Sequence, residues 1–320
     1  MPLTLGVGAA LALMVSGRLE LAGVASGLAM GFKYPGVFLV VPLIVAAWQR
    51  WRRLALSLAL MVTAYLASSP FVLVHSRQAW HDAARVQRLA RKGWLGFEHD
   101  HIASIAFPDR LWHGLGPALI IAVAGLVVAL IRRSRTDLVL VTFVVVYFAD
   151  LMTLRAHFDR YTLPLVPPLA ALAGRFRMLA PVTLLLLVVP LTWSIRDDKR
   201  LTRTDTRVIA ARWIAGHIPS GTVVAADPSS ATVSGLRVLP LQLPAPWQPS
   251  DPNRSVERLK REGVKIVIAT GAIADRVRAA ADRYPREVRF YGDLQSEGRL
   301  LYRVDDGRGR SGPWVAVYRL

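Results

Sequence analysis

The chain has no cysteine, which excludes disulfides, thiolate metal sites and cysteine nucleophiles and says nothing about compartment. Acidic residues are also scarce: 22 Asp and Glu stand against 40 Lys and Arg in 320 residues. No single block carries the excess, since residues 1–195 hold 18 basic and 8 acidic groups and residues 196–320 hold 22 and 14. The basic residues cluster beside apolar runs, where lipid headgroups or anionic lipid substrates are the expected partners and nucleic acid is not. Met1 to Ser16 lacks a basic leader and a small-residue cleavage site, so it does not read as a signal peptide. No strand precedes a glycine-rich phosphate loop, and no Ser/His/Asp order or pair of catalytic carboxylates stands out.

What the chain has in quantity is apolar sequence: 53% hydrophobic residues and a mean hydropathy of +0.36. That average covers two different halves. Residues 1–195 carry about eight apolar segments, expected to form an all-α polytopic membrane bundle. Leu3 to Val15 is followed by Leu21 to Phe32. Lys33-Tyr34-Pro35-Gly36 then breaks the run before Val37 to Trp48, because Pro35 pushes Tyr34 away from helix. Leu54 to Val74, Leu115 to Ile131, Leu138 to Leu154, Tyr161 to Gly174 and Met178 to Ile195 complete the set. Leu21 to Trp48 reads as two arms meeting near one membrane face, since a single long helix would leave Lys33 near mid-bilayer. Gly23-Val24-Ala25-Ser26-Gly27 reads as small-residue helix packing.

Arginine-dense turns at Gln49 to Arg53, Arg132 to Asp137 and Gly174 to Arg177 mark one face as cytoplasmic. The loop His75 to His113, the turn Arg155 to Arg160 and the C-terminal domain then fall outside. The loop's own Arg77, Arg85, Arg88, Arg91, Lys92 and Arg110 run against that rule. Arg77 to Lys92 reads either as a solvated amphipathic helix or as an interfacial helix that holds a lipid phosphate.

Residues 196–320 read as a small soluble α/β domain. Helices are expected at Asp205 to His217, Val256 to Glu262 and Ile273 to Tyr284. Strands are expected at Thr222 to Ala226, Val264 to Ala269, Glu287 to Tyr291, Leu300 to Val304 and Val315 to Tyr318.

Ionisable groups at membrane boundaries are costly unless partnered, so they rank first as site residues. Lys33 is either a snorkelling interface lysine or a ligand for a phosphate carried on lipid. Arg155 to Tyr161 puts charge at a helix mouth just before Leu163-Pro164-Leu165-Val166-Pro167-Pro168, offering Arg160 as a phosphate fork and Tyr161 as an interface aromatic. Glu98-His99-Asp100-His101 has ligand types that suit zinc, but nothing elsewhere completes a spacing motif, and the segment reads more readily as a solvated polar loop than as a metal site. Asp150, within an apolar run, either pairs with Arg155 or faces the bundle interior.

Three strings carry a resemblance. Gly27-Leu28-Ala29-Met30-Gly31-Phe32-Lys33-Tyr34 is similar to the Gly-Leu-x-x-Gly-x-Lys-Tyr segment of bacterial GT-C glycosyltransferases. That class includes dolichyl-phosphate-mannose protein mannosyltransferases and the aminoarabinose transferases of lipid A. Asp159-Arg160-Tyr161-Thr162-Leu163-Pro164-Leu165-Val166-Pro167 resembles the family's Arg-Tyr-Leu-Leu-Pro-Leu-Leu-Pro motif. Thr204 to Val224, with Arg212-Trp213-Ile214 and Ile218-Pro219-Ser220-Gly221, resembles the opening of its outer domain.

The resemblance implies transfer of a sugar, with inversion, from a polyprenyl-phosphate donor to a glycan, lipid or protein acceptor on the extracytoplasmic face of the plasma membrane. It makes Lys33, Tyr34, Arg160 and Tyr161 the donor-phosphate residues, with Arg85, Arg88, His99, Asp100, His101 and His157 as secondary candidates. The family's catalytic acid sits in the first outer loop. This chain begins inside what resembles a middle helix, so an N-terminally truncated chain with no assigned catalytic residue is expected. No cofactor is called for, and a role for a divalent metal stays open. The alternatives are an O-antigen-ligase-like or polymerase-like enzyme using Arg85, Arg88 and His99, and a non-catalytic scaffold or transporter.

Overall fold

The computed structural model describes residues 2–176, 180–231, 234–307 and 309–320. Two units emerge: residues 2–91 with 101–192, and residues 92–100 with 193–320.

The first unit is helical: α1 (Pro2–Val15), α2 (Leu19–Phe32), a 3-10 turn (Tyr34–Leu39), α3 (Val40–Ala46), α4 (Trp51–Ser68), α5 (Phe71–Val74) and α6 (Ser76–Lys92), then α7 (Ala103–Leu115), α8 (Ala118–Arg132) and α9 (Arg135–Leu151). Two 3-10 turns (Asp159–Tyr161 and Leu163–Leu165) lead into α10 (Val166–Ala173), followed by α11 (Ala180–Leu186) and α12 (Val188–Leu201).

This corrects the expected bundle of about eight membrane spans. Among the described residues, no single helix is long and apolar enough to cross a membrane. Only α7 and α8 pass on length and composition together, and they are bent by 118° at their junction. The physical reason is punctuation. Pro35, Pro70, Pro117, Pro164 and Pro190 each fall in or beside an apolar run, and proline removes a backbone donor and clashes with the preceding turn. Helices α1 and α2 have 14 residues each, about 21 Å at 1.5 Å per residue, against about 30 Å of hydrocarbon. Arg177 and Met178, counted in the expected turn and last segment, lie outside the described residues.

The short helices pack closely through glycine. Gly23, Gly27 and Gly31 recur every fourth residue along one face of α2, and a Cβ at any of them would collide with α4 at Ser57, Met61 or Ser68. At Gly23 and Gly27 backbone therefore meets backbone, and at Gly31 it meets the Ser68 side chain, as small-residue seams allow. At one end the seam is clamped by Arg53, which donates to both carboxylate oxygens of Glu20 at 2.7 Å and to the Gly17 carbonyl at 3.2 Å. Buried Leu39, Leu43, Phe107, Phe143 and Leu172 fill the unit's core.

The second unit holds β1 (Thr204–Asp205), α13 (Thr206–His217), β2 (Val223–Ala226), β3 (Arg237–Pro240), α14 (Val256–Arg261), β4 (Ile266–Thr270), α15 (Gly271–Ala279), α16 (Pro285–Glu297), β5 (Arg299–Val304), β6 (Arg310–Ser311) and β7 (Val315–Arg319). Its main sheet has the order β3-β2-β4-β7-β5, with β3, β2 and β4 parallel and β7 antiparallel to both neighbours. Alternation divides β4 between two cores. Ile266 and Ile268 join Ile214 of α13 on one face, while Val267 and Ala269 join Leu259, Val277 and Phe290 on the other.

Glu287 to Tyr291, expected as a strand, lies inside α16. Pro285 opens that helix, and buried Glu287, Phe290, Tyr291 and Leu294 recur at helical spacing. The segment 92–100 adds Leu95, fully buried, to the same core. Glu98 ties it down, accepting from the Tyr284 hydroxyl and from the Gly96 amide.

The chain runs from β2 to β3 on one side and later to β4 on the other, so the carboxyl ends of β2 and β4 flank a topological switch point, where open α/β sheets hold ligands. The chain's own side chains occupy this one. Asp227 and Arg254, both 1% exposed, pair at 3.0 Å. The Tyr291 hydroxyl donates to Asp227 at 2.8 Å, the Thr270 amide at 3.1 Å, and Arg254 also donates to Tyr291 and to the Gln242 carbonyl. Burial and the neighbouring Asp227 carboxylate hold the Tyr291 phenol far above its usual pKa, so it remains a donor.

Two outcomes follow. Gly27→Val, which drives a branched side chain into Met61, lowers stability by about 3 kcal/mol, whereas Gly114→Ala, facing open space, shifts thermal unfolding by less than about 0.5 kcal/mol. Asp227→Ala strands a buried guanidinium and costs about 3–5 kcal/mol. Hydrogen exchange at β2 and β4 amides reads this loss, and replacing Asp227 and Arg254 together with Leu and Met restores part of it.

Candidate functional site

Helix α2 ends at Phe32, Lys33 is extended (φ −165°, ψ 139°), and the 3-10 turn opens directly after it with Tyr34 and Pro35. The chain then doubles back. Gly36 lies so near the Ala29 and Met30 backbone that a Cβ there would overlap it. Leu21 to Trp48 is therefore two helices joined by a 3-10 turn. This break puts Lys33 and Tyr34 on the surface, both exposed.

The Arg160-Tyr161 pair comes from far along the chain. The Tyr161 carbonyl accepts from the Tyr147 hydroxyl at 2.9 Å. Tyr147 is in turn stacked on Phe143 (5.5 Å between ring centres) and met edge-on by Phe38 of the 3-10 turn (5.8 Å). This buried column fixes Tyr161 relative to the Lys33 turn. Lys33 Nζ sits 5.0 Å from the centre of the Tyr161 ring, and the Arg160 guanidinium lies 5.7 Å from it and 4.1 Å from the Phe158 ring. Two cations thus share one aromatic platform.

The nearby carboxylates are engaged elsewhere. Asp159 pairs with Arg110 at 3.3 Å. Asp150 accepts from Gln87 at 3.0 Å and pairs with Arg91 at 3.5 Å, so its partners sit on α6 and not at Arg155. Among the described residues, no carboxylate lies within 4.0 Å of Lys33 or Arg160. Two exposed cations without an acid beside them form a local positive field, a setting in which an oxyanion gains charge-assisted hydrogen bonds.

The structure brings together Lys33, Arg160 and Tyr161, with Tyr34 next to Lys33 in sequence. Arg85 and Arg88 are exposed on α6. His157 is buried, its Nε2 3.2 Å from the Leu154 carbonyl and its ring edge-on to Phe107, so it serves packing. His99 reaches Asp282 at 3.3 Å within the second unit, where the Asp100 amide donates to the Phe97 carbonyl. His101 belongs to the first unit and is exposed. Among the described residues, no three His, Asp or Glu side chains converge as metal ligands. An apolar cavity of about 350 Å³, lined by Leu11, Leu140, Pro167 and Arg175 among others, includes none of these candidates.

Sequence reading missed Tyr147. Its signal was the Phe143-x-x-x-Tyr147 spacing, which puts both rings on one face of α9. Tyr147→Phe keeps the ring column and deletes the hydroxyl that holds Tyr161. Thermal unfolding should register a loss of about 1 kcal/mol, with Tyr161→Phe, whose hydroxyl is not part of the column, close to unchanged.

No family model, no curated protein and no solved structure matches this chain.

Proposed function

We propose that this chain binds the phosphate of a polyprenyl-phosphate sugar donor at Lys33 and Arg160, as the donor-side part of a membrane-associated glycosyltransferase that delivers the sugar to a glycan, lipid or protein acceptor outside the cytoplasm. The observation that carries the reading is the convergence of two unpaired cations on Tyr161 from segments more than a hundred residues apart. These are the segments whose motifs resemble the GT-C family.

In such a transfer the acceptor oxygen attacks the anomeric carbon, the bond from that carbon to the phosphate oxygen breaks, and the lipid phosphate leaves with additional negative charge. Lys33 and Arg160 offset that charge as it develops. The acceptor proton requires a base. Asp159 and Asp150 are held by Arg110 and by Arg91 with Gln87, so the residues at this site account for the leaving group and not for the base. The ligase-like alternative needs Arg85, Arg88 and His99 to act together, and the His99 contact to Asp282 gives it no support.

The test is binding of a polyprenyl monophosphate to the detergent-solubilised chain, with the matching polyprenol as control. Lys33→Ala and Arg160→Ala should each weaken phosphate binding about tenfold or more, the worth of a charged hydrogen bond, with no effect on the polyprenol. His99→Ala should leave binding unchanged. Equal affinity for phosphate and alcohol, or a larger loss at His99 than at Lys33, overturns the reading.

A further inference from the structure

Among the described residues, hydrogen bonds and an ion pair tie helix α6 to α9 and the segment after it near its C-terminus. Near its C-terminus, Gln87 and Arg91 reach Asp150, and the Ala90 carbonyl accepts from the Arg155 and Ala156 amides at 3.0 and 3.2 Å. Towards its N-terminus the helix and the α5 turn before it leave large apolar side chains in the open: Phe71 and Trp80 are each 77% exposed, Val74 73% and Leu73 63%. Single exposed apolar residues are ordinary, but four within ten positions form a patch.

Beside that patch runs a basic stripe. Arg77, His81, Arg85 and Arg88 follow the spacing i, i+4, i+8, i+11, which keeps them within about 80° of the helix circumference. All four are exposed. Asp82, the one acid in α6, projects about 100° from the centre of the stripe. Among the described residues, Arg77, Arg85 and Arg88 have no carboxylate within 4.0 Å, while Arg91 further along the helix pairs with Asp150.

We infer that α5 and the N-terminal half of α6 form a docking surface for the interfacial layer of an anionic lipid leaflet, with Arg77, Arg85 and Arg88 on lipid phosphates and Phe71, Val74 and Trp80 at the acyl boundary. Charge complementarity selects an anionic partner. The adjacent apolar patch selects a bilayer over a soluble polyanion, because only a leaflet offers phosphate and hydrocarbon side by side within the width of one helix. Tryptophan beside arginine is the composition that such interfaces favour. The inference does not depend on the donor-phosphate reading, since none of these residues touches Lys33, Arg160 or Tyr161.

The absence of cysteine allows a direct test on the full chain. Leu73→Cys, carrying an environment-sensitive dye, is reconstituted into phosphatidylcholine vesicles with and without phosphatidylglycerol, each doped with brominated lipid. Quenching of the dye should rise with the phosphatidylglycerol fraction and fall in high salt, which screens the phosphates. Combined Arg77→Gln, Arg85→Gln and Arg88→Gln should reduce the apparent affinity for the anionic surface about a hundredfold, from about a factor of five per charge. All three positions are exposed, so the variant should retain its helices, which circular dichroism checks. Quenching that is equal with and without phosphatidylglycerol, or unaffected by the triple variant, overturns the inference. So does a dye response produced in full by soluble polyphosphate without vesicles, which would assign the stripe to a soluble polyanion.

Discussion

Helix α2 can lie against α4 only because Gly23, Gly27 and Gly31 present no side chain along the shared face. The approach brings peptide backbones together, so the position of α2 is set by hard contact with little room to slide. Everything downstream inherits that position. Pro35 and the extended Lys33 end α2, Gly36 turns the chain back against its last turn, and Phe38 then meets Tyr147. Tyr147 holds the Tyr161 carbonyl, so the aromatic platform under Lys33 is the last step in a chain of contacts that begins at three glycines.

Charge is handled differently at two places in the molecule. In the second unit, Asp227, Arg254 and Tyr291 satisfy one another at the switch point of the sheet, where desolvation would be costly without that closure. In the first, Asp159 and Asp150 are drawn to Arg110 and Arg91, leaving Lys33 and Arg160 without acids. A buried, closed network gives rigidity. Exposed, unneutralised cations such as Lys33 and Arg160 keep their affinity for an anion from outside.

Some of this was legible in the residues. The break at Lys33-Tyr34-Pro35-Gly36, the small-residue face of α2 and the candidacy of Lys33, Arg160 and Tyr161 all rest on local rules of proline, glycine and unpaired charge, which do not require knowledge of the fold. Helix length was misjudged because hydropathy registers an apolar run whether or not a proline divides it. Glu287 to Tyr291 was misassigned because a five-residue apolar-rich window fits a strand as well as one turn of helix, and only the longer spacing through Leu294 separates them.

By itself, then, the sequence determined the break at Lys33 to Gly36, which face of α2 carries small residues and which cations stand at chain breaks, since these follow from backbone sterics and near-neighbour composition. Only the tertiary structure decided that Lys33 and Arg160 share Tyr161, that Asp150 answers to α6, that Leu95 belongs to the sheet unit's core and that Asp227 meets Arg254 and Tyr291. Each of those pairings joins residues distant in the chain, and nothing in local propensity says which of many possible partners packing will bring within reach.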